Sequence, residues 1–77
     1  MTRQEFAREF AEILGVAADQ LRPDAELATF DTWDSVAYLS TMVLFDERLG
    51  LAVRPEAISK AATFTDLMKL AGDRLVN

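Results

Sequence analysis

The sequence predicts an all-α fold: a bundle of three longer helices and one short helix, with a long loop between the first two. Three observations predict it. Apolar residues recur at three- and four-residue spacing in separate stretches, helix-start and helix-stop residues flank those stretches, and no stretch sustains the alternation of a strand. Leu51-Ala52-Val53 is too short and isolated to require a sheet. Seventy-seven residues are expected to form one domain, 1–77, with a thin core.

Thr2 with Glu5 three residues later forms a capping box, and Phe6, Phe10, Ile13 and Leu14 follow at helical spacing. The first helix is therefore expected over Arg3 to Leu14. Gly15 suits the left-handed position just past its end. From Val16 to Asp34 no helical period persists, yet Val16, Leu21, Leu27 and Phe30 recur among Pro23 and several aspartates. Spaced apolar residues of this kind predict a loop packed against helices, with a short turn near Ala18 to Leu21.

The second helix should begin at Asp34 or Ser35, both good N-cap residues, and run to Leu49 before Gly50. Val36, Leu39 and Val43 form one stripe along it, and Tyr38, Met42, Phe45 and Leu49 form another. Leu39, Met42, Phe45 and Leu49 are expected to bury against the first and last helices. Pro55 is a natural first residue of a short third helix whose inner side is Ala57, Ile58 and Ala61. Thr63 and Asp66 make a second capping box. Phe64, Leu67, Met68, Ala71 and Leu75 then continue the closing helix.

Composition narrows function. Eight basic against thirteen acidic residues give a net charge of −5, which repels phosphate backbones and disfavours nucleic acid. Cysteine and histidine are both absent, so thiolate chemistry, imidazole acid–base catalysis and the usual zinc ligand sets have no residues to use. No catalytic or metal-ligating residue is assigned. A hydrolase using Ser35 as nucleophile lacks a histidine base and has no lysine near it in sequence. The first ten residues mix charged and apolar side chains, without a signal peptide or membrane span, so a cytoplasmic protein is expected.

The run Phe30-Asp31-Thr32-Trp33-Asp34-Ser35-Val36, followed by an apolar helix and Asp46-Glu47-Arg48-Leu49-Gly50, resembles the acyl carrier protein family. Gly15-Val16, Leu21-Arg22-Pro23-Asp24-Ala25-Glu26-Leu27 and Thr63-Phe64-Thr65-Asp66-Leu67 fall in the family's order, so the resemblance covers nearly the whole chain. It implies a four-helix acyl-carrier-like bundle. It also implies that a phosphopantetheinyl transferase attaches 4′-phosphopantetheine, taken from coenzyme A, to Ser35. Asp34 would help dock that transferase or cap the helix.

The arm's thiol would then hold acyl or aminoacyl groups as thioesters, for fatty-acid-like or specialised secondary-metabolite biosynthesis, with loading and modifying enzymes as partners. A tethered shuttle of this kind works as a monomer. The departures from the family pattern are Val36 where leucine is common, Thr32 where glycine is common, and Trp33 at a usually variable position. The second helix is also less acidic than in fatty-acid carriers, which makes Ser40, Val43, Leu44 and Glu47 candidates for a less acidic docking face. The competing reading is a non-catalytic helical interaction domain in which Ser35 is only a helix cap.

Overall fold

In the computed structural model, which describes residues 1–76, four helices carry the fold: α1 (Arg3–Leu14), α2 (Ser35–Leu49), α3 (Pro55–Ser59) and α4 (Phe64–Ala71). Single 3₁₀ turns lie at Ala18–Gln20, Leu27–Thr29 and Gly72–Arg74. Among the described residues the extended segments make isolated bridges only, Thr2 with Val76 and Glu26 with Thr63.

The ends of the helices follow from local chemistry. At the start of α1 the Thr2 N–H donates to Glu5 Oε1 at 2.8 Å and the Glu5 N–H donates to Thr2 Oγ1 at 3.0 Å. Thr63 and Asp66 exchange the same pair of bonds before α4, at 3.1 and 3.2 Å. Each box satisfies two backbone groups that a helix start leaves open. Gly15 and Gly50 close α1 and α2 at φ 71° and 66°, a left-handed conformation in which a β-carbon would be strained. The closing helix stops at Ala71, short of the expected Leu75, because Gly72 turns the chain at φ 58°, ψ −131°. Leu75 nevertheless reaches the core from the extended segment beyond the turn.

The two capping carboxylates give the fold an acid sensitivity. Glu5 is held below the usual carboxylate range chiefly by the Thr2 backbone N–H, and Asp66 chiefly by that of Thr63. A carboxylate lowered on folding stabilises the native state at pH values above its unfolded pKa, and that contribution disappears as the pH falls through the lowered value. Stability should therefore decline as the pH falls through and below the ordinary carboxylate range. Denaturant titrations at stepped pH should show a shallower decline in the Glu5→Gln, Asp66→Asn double variant, and an equally steep one would contradict this origin.

The core is built around phenylalanine. Phe6 and Phe10 of α1 lie within 6.2 Å of each other, Phe6 is 5.6 Å from Phe45 and 6.0 Å from Phe64, and Phe10 is 5.6 Å from Phe64. All four rings are buried. Each such pair adds roughly 0.5–1.5 kcal/mol beyond the area it removes from water. Leu14, Leu27, Ile58 and Leu67 fill the space around them.

The long loop packs on the bundle. Leu21 and Leu27 are buried, as the spacing predicts, and Val16 and Phe30 lie against the same core. Backbone bonds tie the loop to the α3–α4 connection and the first residues of α4: Leu27 N–H to the Ala62 carbonyl at 2.9 Å, Phe64 N–H to the Ala25 carbonyl at 2.9 Å, and Thr65 N–H to the Pro23 carbonyl at 3.0 Å. At the far end of α2, Arg74 donates to the Leu49 carbonyl at 2.8 Å and Arg48 pairs with Glu9 at 2.7 Å. The first set holds the middle of the loop against the bundle, and the second holds the far end of α2.

Candidate functional site

The start of α2 separates two roles that the sequence leaves open. Asp34 is the N-cap: its backbone is extended, and its Oδ1 accepts the Ala37 N–H at 3.0 Å. Ser35 is the first helical residue, and its side chain is exposed. No hydrogen bond of its hydroxyl is found among the described residues. The reading of Ser35 as the helix cap is therefore corrected, because a cap needs the extended backbone and side-chain reach that Asp34 supplies. The Ser35 hydroxyl is left available at the electropositive end of a fifteen-residue helix.

The chain's other two serines differ in setting. Ser59 Oγ donates to the Glu56 carbonyl at 2.9 Å, while Ser40 lies on the exposed side of α2, away from either end. Ser35 alone combines exposure, an unengaged hydroxyl and a helix start. Just before it, Trp33 is half-buried, meeting Phe10 edge-on at 5.5 Å and Tyr38 at 4.7 Å.

Along α2 the structure divides the expected docking residues. Ser40, Val43 and Glu47 are exposed. Leu44 is corrected: at 7% exposure it belongs to the core and cannot form part of an outward face. Leu39, expected inside, is instead 51% exposed, and Val36 is 68% exposed. The first half of the inner side carries small residues instead. Ala37 and Thr41 are buried, and the Thr41 hydroxyl is satisfied by donating to the Ala37 carbonyl at 2.8 Å. With Ala37 and Thr41 on the buried side, the more hydropathic Val36, Leu39 and Val43 face outward. A buried polar threonine with a local acceptor is the signal that could have revealed this orientation.

Val43 also borders a shallow groove of about 360 Å³ beside α2, shared with Met42, Ala52, Val53 and Pro55 and edged by Asp46 and Arg54. Among the described residues no histidine, cysteine, aspartate or glutamate side chains gather in a group of three or more that could hold a metal ion. Nor is any described helix long and apolar enough to cross a membrane.

Fold and site together define a small helical bundle that offers a free hydroxyl at the start of its longest helix, beside an exposed apolar stripe. Over 64 residues the chain is 38% identical to Acyl carrier protein MbtL of Mycolicibacterium paratuberculosis (strain ATCC BAA-968 / K-10), a match covering 74% of this chain and 72% of that protein. The chain belongs to the acyl carrier protein family. No family model matches it, and no solved structure matches it.

Proposed function

We propose that the chain carries acyl or aminoacyl groups as thioesters on a 4′-phosphopantetheine arm attached to Ser35, in fatty-acid-like or specialised secondary-metabolite biosynthesis. The observation that carries this reading is the exposed, unengaged Ser35 hydroxyl, placed directly after the residue that does the capping. Family membership supports a carrier role, and the relative's name supports acyl cargo. A phosphodiester on Ser35 is compatible with the partial positive charge at the start of α2, and solvent exposure gives the active site of a transferase room to reach it. When bound, the arm supplies the thiol that holds the cargo. The chain's own residues cap the helix, hold the serine outward and present a surface to successive enzymes.

The partners in this reading are a phosphopantetheinyl transferase and the enzymes that load and modify the cargo, visited in the cytoplasm by a monomeric shuttle. Tethering keeps the cargo at high local concentration during each brief docking event. The test is to incubate purified protein with coenzyme A, magnesium and a broad-specificity phosphopantetheinyl transferase, and to record intact mass. One added arm is expected. No addition by several transferases to demonstrably folded protein would overturn the proposal in favour of a helical interaction domain.

Docking is assigned to the outward side of α2, where Val36, Leu39, Ser40 and Val43 give way to Asp46 and Glu47. An apolar patch of this kind suits a partner that covers it with its own apolar side chains and meets the two acids with a basic group. Val43→Glu should raise the KM of a cognate loading enzyme for fully modified protein about tenfold, the effect of roughly 1.4 kcal/mol at an interface. Modification of Ser35 should persist. Equal KM values for the variant and the unaltered protein would remove Val43 from the docking surface.

A further inference from the structure

Three consecutive residues ahead of Ser35 are tied to different parts of the bundle. Thr32 Oγ1 donates to the Leu14 carbonyl at 2.7 Å, joining residues 18 apart in sequence. The Trp33 ring lies between Phe10 and Tyr38, and Asp34 accepts from Ala37. Only the Thr32 contact is a hydrogen bond to another helix. Its acceptor is the last residue of α1, whose carbonyl has no intrahelical donor.

The neighbouring donors are already committed. Gly15 N–H serves the Ala11 and Glu12 carbonyls, and Val16 N–H serves Ala11. The Leu14 carbonyl is thus left to Thr32. The Thr32 side chain is otherwise exposed, so packing does not demand a threonine there. What the hydroxyl does is stitch the last stretch of the loop to the end of α1, three residues before the serine.

We infer that Thr32 is a positioning residue for Ser35, holding the loop's entry into α2 so that the serine hydroxyl is offered to the transferase in one orientation. This rests on the reading of Ser35 as the attachment site. Without the bond, residues 31 to 34 are held on the α1 side by the Trp33 ring alone, and the segment exchanges among orientations. A transferase that accepts one orientation then meets a smaller competent population. That reduction weakens apparent affinity and leaves the bound complex unchanged, so the effect falls on KM rather than kcat.

The test compares unaltered apo protein with the Thr32→Val, Thr32→Ala and Thr32→Ser variants, measuring initial rates of arm transfer from coenzyme A with thermal unfolding alongside. Losing one partly exposed hydrogen bond, worth about 1 kcal/mol, corresponds to about a fivefold rise in KM. That rise is expected for valine and alanine with kcat within about twofold, and serine should restore the original KM. Alanine adds no bulk at this exposed position, so it reports on the hydroxyl even where valine perturbs folding. A lowered melting temperature with unchanged KM would make Thr32 merely structural and overturn the inference. Failure of the unaltered protein to accept an arm would overturn the carrier reading, and this inference with it.

Discussion

Phe6→Ala should cost about 3–5 kcal/mol of stability, the usual range for emptying a buried aromatic site. Phe6 touches Phe10 on its own helix, Phe45 on α2 and Phe64 on α4, so its ring holds three helices together. Its side chain has no solvent exposure. A chain of this length is expected to have a total stability of only about 4–12 kcal/mol. The variant should therefore sit near the edge of unfolding, with a melting temperature at least about 12 °C lower. Val36→Ala, at a side chain 68% exposed, should stay within about 0.5 kcal/mol. Chemical denaturation of the two variants checks the account of the core. A Phe6→Ala loss below 1 kcal/mol would mean that the aromatic cluster does not organise the bundle.

The second large effect is functional and leaves the fold intact. Ser35→Ala should abolish arm attachment and every later step of acyl loading, while stability changes by less than about 0.5 kcal/mol, since alanine is a good helix former at a position that does no capping. Asp34→Ala should do the reverse in stability, costing about 1 kcal/mol through the lost bond to the Ala37 N–H. The two variants are adjacent in sequence and opposite in consequence. Acyl loading that persists in Ser35→Ala would exclude Ser35 as the attachment point. A stability loss in Ser35→Ala matching that of Asp34→Ala would mean that the serine shares the capping role.

Much of the architecture was legible because short-range signals decide it. Thr2 with Glu5, Thr63 with Asp66, and glycines at 15 and 50 act within one turn of themselves, and the ends of α1 and α2 follow from them. Leu21 and Leu27 were readable as loop anchors because an isolated leucine in a polar stretch has little reason to be there except burial. The rotation of α2 was not legible. Val36, Leu39 and Val43 are no less hydropathic than Leu44, Phe45 and Leu49, and more so than Ala37 and Thr41, so hydropathy alone does not say which stripe faces inward.

The candidate site was legible in part for a similar reason. Asp34 and Ser35 are both acceptable caps by residue type, and the choice depends on where the backbone turns extended, a matter of one residue. The bonds from Thr32 to Leu14 and from Arg74 to Leu49 join residues 18 and 25 apart, a separation at which residue type carries no pairing information. Those long-range ties orient the loop and clamp the far end of α2. The presentation of the serine is thus a tertiary property resting on a locally encoded helix start.

The most direct measurement is fragment-ion localisation of the arm after treatment with coenzyme A and a phosphopantetheinyl transferase. The added mass is expected on Ser35 alone, with Ser40 and Ser59 unmodified. An arm on another residue, or none on a folded protein, would contradict it.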